Sequence, residues 1–350
     1  MRDVAIVSFA QAPNHRRELR NEVEILMPVV QEAVARSGIA RPFDFTCSGS
    51  SDFLQGQPFA FVMALDAAGA WPPIAESHVE MDGAWALYEA YIRLLIGDID
   101  IALATGSGRS STADPGVIYP MEMDPYYLAP LGVDAMTFSG LQAQALVGSG
   151  AVTERQMAEI AARSRRDAKA NPYAQVSGDF DVDALLAEDY VRSPLRRHDL
   201  PPITDGASAL IIARGDRARE LCERPVWITG FAHYAEIHYP GLRDLTKAES
   251  VTLAGKAAGL EEGPVEVAEL QTAFTHEEPL VAGALGLGSD VAINPSGGPL
   301  AGNPIMSTGL VRIIEAAAQI RDHGKQRTLA HSTSGPCLQQ NLVCILEGGS

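Results

Sequence analysis

The residues Glu76–Leu95, ESHVEMDGAWALYEAYIRLL, read as a strand end, a tight turn and a helix buried over much of its surface. The turn offers Glu80, Met81 and Asp82, preceded by His78, and neither cysteine nor serine. Carboxylates next to a histidine are the residue types of general acid/base work. At a helix N-terminus the dipole keeps both carboxylates ionised, which lowers their value as acids. Plain structural roles are open to the same residues. Asp82 is suited to N-cap the helix, and Glu80 can satisfy buried backbone donors. A second candidate group is FTHEEP, where His276 stands beside Glu277 and Glu278 at the start of a helical region. A solvated, acidic helix N-terminus produces the same pattern without any chemistry.

Other features carry less. NPSGGPLAGNP is glycine-rich but lacks the lysine of a phosphate-binding loop and the GxGxxG spacing, so its glycines fit a close strand-to-helix turn. Tyr119, Tyr126 and Tyr127 could line an apolar tunnel or pack a loop onto the body. The basic run Arg163–Lys169 is either a solvated helix face or a contact for phosphates. Cys47, Cys222, Cys337 and Cys344 are scattered, without the paired spacing of a zinc site or disulfide framework. No metal is expected.

The elements that must position these groups repeat. DVAIVSFAQA at Asp3 resembles PVWITGFAHY at Pro225, FDFTCSGSSDF near Phe43 matches VEVAELQTAF near Val265, and DIDIALATGSG near Asp98 matches QRTLAHSTSG near Gln326. These pairs lie about 220 residues apart, the mark of a duplicated unit. ASALIIARG near Ala207 matches NLVCILEGG near Asn341 at a shorter spacing, so the first copy carries an insertion over about 109–199. The expected domains are 1–215, with that insertion, and 216–350. Short apolar strands alternate with helices over Glu24–Ala35, Asp82–Ile96 and Ser307–Ile320, which predicts an α/β chain with two sheets and helices between and outside them. Thr153 followed by Gln156 forms a capping-box pattern opening a helix in the insertion.

The chain has 350 residues, 46% hydrophobic and 20% charged, with a formal net charge of −17. A surface this acidic disfavours nucleic acid and anionic lipid, and an anionic ligand needs a local basic patch. Met1-Arg2-Asp3 runs straight into an apolar strand without a signal-peptide pattern, and no apolar run is long enough to span a bilayer. The expectation is a cytoplasmic protein.

Three motifs stand in a fixed order: PLRRHDLPPITDGASALIIA (Pro194–Ala213), VEVAELQTAFTHEE (Val265–Glu278) and INPSGGPLAGNPIMSTGL (Ile293–Leu310). Together with the duplication they resemble thiolases. The chain resembles the actinobacterial lipid-transfer-type group, related to sterol-carrier-type thiolases and tied to steroid side-chain degradation. The resemblance implies a duplicated thiolase fold with layers αβαβα and a loop domain inserted in the first half. It also implies acyl-CoA substrates, possibly steroid-CoA, with coenzyme A as part of the substrate and no tightly bound cofactor. Some relatives are retro-aldolases working with a small OB-fold partner protein.

In thiolases a cysteine nucleophile follows a strand and opens the central helix. Counting back from Gly83 places it at Glu80. The histidine of the Gly-His-Pro turn falls at Asn303, and the Asn or His of the "AF" turn at Gln271. Cys344 lies near the last cysteine position but inside an apolar strand, which makes it core. Without the thiolate and its histidine, cysteine-based thiolase chemistry is not expected. The aldolase relatives carry tyrosines at the positions of Gln271 and Asn303, so their roles do not transfer either. Asn303 and Gln271 can still donate hydrogen bonds to a thioester oxygen.

The candidate catalytic residues are therefore Glu80, Asp82, His276 and Asn303. The candidate substrate-binding residues are Gln271, Tyr126, Tyr127 and Ser334. The expected function is that of a subunit of an aldol-lyase acting on β-hydroxyacyl-CoA. A non-catalytic acyl-CoA-binding or scaffold partner, and an acetyl-CoA acetyltransferase, are the alternatives. A thiolase-type homodimer, or a heteromer with another thiolase-like chain, is expected through the strand before Glu80.

Overall fold

The computed structural model describes residues 3–39, 43–121 and 123–349. The first half runs β1 (Val4–Gln11), α1 (Glu22–Ser37), β2 (Phe45–Gly49), α2 (Asp52–Gln55), α3 (Phe61–Ala68), β3 (Glu76–Val79), α4 (Gly83–Ile96) and β4 (Ile101–Gly108). An excursion follows with α5 (Pro115–Met121), α6 (Ala135–Gly148), α7 (Glu154–Asp167), α8 (Val182–Leu186) and a small hairpin of β5 (Tyr190–Arg192) and β6 (Leu195–Arg196). β7 (Gly206–Arg214) returns to the sheet and α9 (Gly215–Leu221) leads out. The second half runs β8 (Val226–Ala235), α10 (Glu249–Ala257), β9 (Val267–Leu270), α11 (Glu277–Ala284), β10 (Ala292–Ile293), α12 (Thr308–His323), β11 (Arg327–Ser334) and β12 (Gln340–Gly348).

Strand order shows the duplication directly. The first half pairs as β1-β7-β4-β2-β3 and the second as β8-β12-β11-β9-β10. In each, the last strand of the copy inserts antiparallel between two others. Sequence reasoning expects two separate sheets. Here the halves join edge to edge, because β1 and β8 pair antiparallel at Val4–Ile228, Ala5–Trp227 and Ile6–Val226.

Side-chain alternation along each strand divides the core into layers. On β7, Leu210 and Ile212 face the central helices, while Ala209, Ile211 and Ala213 face α1. On β12, Leu342, Cys344 and Leu346 face inward, while Val343 and Ile345 face α10 and α11. The inner cluster contains Leu87 and Leu94 of α4 with Ile313, Ile314 and Ala317 of α12. These two helices therefore lie between the two halves, with other helices outside. Removing a side chain such as Leu87, which is fully buried, should cost about 3 kcal/mol. The buried Arg312 guanidinium sits 2.5 Å from Glu269 and 2.7 Å from Ser296 Oγ, tying α12 to β9. No helix among the described residues is long and apolar enough to cross a membrane.

Candidate active site

The turn before α4 is built around Asp82, which is 4% exposed. Its backbone is extended at φ −61°, ψ 148°, and its Oδ1 accepts the Ala84 N–H at 2.8 Å, an N-cap. It also reaches the second half. Oδ2 accepts from Gly309 N at 2.9 Å and Oδ1 from Leu310 N at 2.9 Å, in the first turn of α12. One carboxylate thus closes the N-termini of both central helices, satisfying three otherwise orphan donors. Burial pushes its pKa up, against these three N–H groups, which favour the anion.

α4 opens at Gly83, three residues after Glu80. The Gly83 N–H donates to the Met306 carbonyl at 2.9 Å. A Cβ at Gly83 would lie 2.8 Å from Gly106 Cα and 2.9 Å from Leu310 Cδ2. A Cβ at Gly309 would lie 2.7 Å from both Asp82 Oδ1 and Ser332 Oγ. The junction has no room for a further side chain. Met306, across the junction, holds the left-handed value φ 77° without being glycine, a strain of about 1 kcal/mol. The surrounding turn offsets that strain and aims its carbonyl at Gly83.

The remaining candidates are dispersed. Glu80 is exposed, and its Oε1 accepts the Asp52 N–H at 2.7 Å at the start of α2. His78 lies 3.9 Å from Glu80 and stacks on Phe61 at 4.1 Å. His276 is fully buried. Its Nε2 lies 3.3 Å from Gln142 Oε1, while its Nδ1 has no partner among the described residues. Burial depresses it to about 3, so it stays neutral. The region after the "AF" turn is not the solvated terminus expected: Glu277 is buried, pushed up to about 7, and Glu278 is buried against Arg163. Gln271 is half-buried and its Oε1 accepts the Thr333 N–H at 3.1 Å. Ser334 pairs with Gln340 at the end of β11. Cys344 is core, and burial raises its thiol pKa far above the ordinary range.

A cavity of about 760 Å³ opens beside the junction, walled by the excursion, the Arg16 segment and the second half. Asn303 alone of the eight candidates lines it. The turn carrying Asn303 is fixed by its N–H on Thr204 Oγ1 at 2.9 Å. Thr308 Oγ1 lies 2.9 Å from Asn303 Oδ1 and 3.0 Å from the Pro304 carbonyl. Tyr119 lines the wall, whereas Tyr126 and Tyr127 are 81% and 75% exposed and lie outside it. The wall is largely apolar, with Met136, Ile203, Phe274 and Ile305, and it carries the cations Arg16 and Arg197.

The basic run of α7 does not reach the cavity. Arg163 pairs with Glu278, Arg166 with Asp167 and Lys169 with Asp179, and Arg165 lies over Phe180. Asp167 belongs to the run, whereas Glu278, Asp179 and Phe180 lie outside it, and the run itself gives no sign of them. Pro201, Pro202 and Ile203 of PPITDG line the cavity and are not among the sequence candidates. The two prolines cannot donate to a sheet ladder, which marks the segment as lying outside the strand that follows.

No family model matches the chain. It is 27% identical over 300 residues, 78% of each chain, to an acetyl-CoA acetyltransferase of Methanothermobacter thermautotrophicus. To the benzoylsuccinyl-CoA thiolase subunit BbsB of Thauera aromatica it is 24% identical over 346 residues, 89% of each. Sterol carrier protein 2 of Gallus gallus matches 53% of the chain at 28% identity, and that match spans 39% of the relative. Among solved structures, the Ltp2-ChsH2(DUF35) aldolase superposes with a TM-score of 0.80 at 18% identity over 99% of this chain and 97% of that one. Bacillus anthracis acetyl-CoA acetyltransferase gives 0.81 at 17% identity over 100% and 99%. This chain is thiolase-like: it has the thiolase fold and relatives in the thiolase superfamily, with aspartate and glycine at the turn that opens the central helix.

Proposed function

We propose that the chain holds acyl-CoA thioesters in the 760 Å³ cavity as a lipid-transfer-type, thiolase-like subunit of an aldol-lyase assembly, without cysteine chemistry. The observation that carries this reading is a cavity with a buried amide, Asn303, on its wall beside a helix junction closed by the chain's own carboxylate. Retro-aldol cleavage needs a base for the β-hydroxyl and stabilisation of the thioester enolate. We assign the second task to Asn303, which lines the cavity. The wall carboxylates are engaged elsewhere, Asp134 capping α6 through Thr137 N at 2.7 Å and Asp114 accepting from Gly116 N at 2.9 Å. We assign the base to a partner chain. Arg16 and Arg197 offer the local positive charge that the phosphates of coenzyme A require on an acidic protein.

β3 ends the strand order with an unpaired edge, and Phe53 and Phe59 near it are 59% and 68% exposed. Such an edge favours a homodimer or a second thiolase-like chain. The fold likeness to the Ltp2-ChsH2(DUF35) aldolase, with the small OB-fold partner that the sequence resemblance implies, makes such a partner the first to test. The test is cleavage of β-hydroxyacyl-CoA esters, including steroid-CoA, by the chain alone and with such partners. Cleavage only in the mixture is expected. Absence of cleavage in every mixture, together with tight ester binding, would favour a pure binding role.

A further inference from the structure

The Thr-Asp pair of PPITDGASAL stands just before β7, behind the wall residues Pro201, Pro202 and Ile203. Asp205 is 1% exposed. Its Oδ2 accepts from Glu18 N at 2.7 Å and from Ser111 Oγ at 2.5 Å, and its Oδ1 accepts from Ser111 N at 2.9 Å. Its backbone exchanges two further hydrogen bonds with His15, at 2.7 and 3.0 Å. These bonds fasten two separate segments. One carries Arg16, the other Ser110 and Ser111, and all three residues line the cavity. Arg16 is exposed and has no carboxylate partner among the described residues. Ordering such a segment costs backbone entropy, which bonds to a buried carboxylate can offset.

We propose that Asp205 is a positioning residue that holds Arg16 against the phosphates of the bound ester. This rests on the reading that the cavity takes acyl-CoA. An anchor of this kind acts on the phosphate end of the ligand alone, through Arg16, and leaves the thioester end untouched.

Calorimetric titration with octanoyl-CoA and octanoyl-pantetheine, the same thioester without the nucleotide phosphates, tests it. The wild-type chain binds the CoA ester more tightly, by about tenfold for one charge-assisted contact. In Asp205→Asn the amide can keep the Ser111 N–H and donate to Ser111 Oγ, but it cannot accept from Glu18. The Glu18 end of the Arg16 segment loses its anchor, while the two backbone bonds to His15 remain. Octanoyl-CoA binding should weaken about tenfold and octanoyl-pantetheine binding should not change. Arg16→Ala should show the same loss, and the double variant no more than either single one. Glu18→Pro removes the held N–H with Asp205 intact, and gives the same reading if the asparagine variant does not fold. Equal weakening toward both ligands, or losses that add in the double variant, would overturn the proposal. A wild-type chain that does not distinguish the two esters would instead bring down the cationic-wall reading, and the proposal with it.

Discussion

The junction of α4 and α12 and the cavity beside it are neighbours of opposite character. At the junction, glycine backbones are packed so closely that no side chain fits, and Asp82 saturates the helix ends. A few residues before α12, Asn303 faces an open space of about 760 Å³. Space for a ligand is kept where space for a nucleophile is not. On the proposed reading, a thiolase-like scaffold loses a reaction without losing its binding site, because the two depend on different residues.

The largest effect should come from opening the junction. Asp82→Ala leaves three buried N–H groups without an acceptor and should cost about 4 kcal/mol in urea unfolding. Asp82→Asn retains an acceptor and should cost less. A loss below about 1 kcal/mol for alanine would mean that water fills the site, and the contrast with the cavity would weaken.

Next comes the pH dependence of the shell behind the cavity wall. His276 is depressed by burial from 6.5 to about 3. Its contribution is present above pH 6.5 and is lost as pH falls toward 3. Glu277 is raised by burial from 4.5 to about 7, so its contribution is present below pH 4.5 and lost as pH rises through 7. The two oppose each other. Relative to wild type, His276→Gln should gain stability between pH 7 and pH 4.5, by about 3 kcal/mol, and Glu277→Gln should lose a similar amount. Urea midpoints measured across that range decide it, and the same slope in both variants would contradict the burial of these groups.

Asn303→Ala bears on the open side. In an assembly that turns over, it should lower kcat about a hundredfold while shifting the unfolding midpoint little, because Thr308 Oγ1 still has the Pro304 carbonyl at 3.0 Å. A change in KM alone would assign Asn303 to binding and not to the enolate. The smallest effect belongs to Glu80→Ala, which removes an exposed acceptor at the start of α2 and should cost under about 1 kcal/mol with turnover unchanged. Loss of turnover would restore Glu80 as a chemical group.

The scaffold is well marked in the chain. Strand and helix repeats, the α4 boundary and the Thr153–Gln156 capping box all rest on local pattern, and they recur in the structure. The candidate site is less legible. Placing the lost nucleophile by counting from a glycine leads to Glu80, three residues before the helix opens. Three residues separate an exposed side chain from a sealed junction. The buried state of His276, Glu277 and Glu278 depends on Gln142 and Arg163 of the excursion, which no local spacing reveals. Tyr119 and Tyr126 look alike in sequence, yet only the first is folded onto the cavity.

The most direct test is mass spectrometry of the chain with octanoyl-CoA, recorded under native conditions and then after denaturation of the same sample. The expected result is a complex in the native spectrum and an unmodified chain in the denatured one. An acyl adduct that survives denaturation would show a working nucleophile, and the absence of any native complex would show that the cavity does not take the thioester.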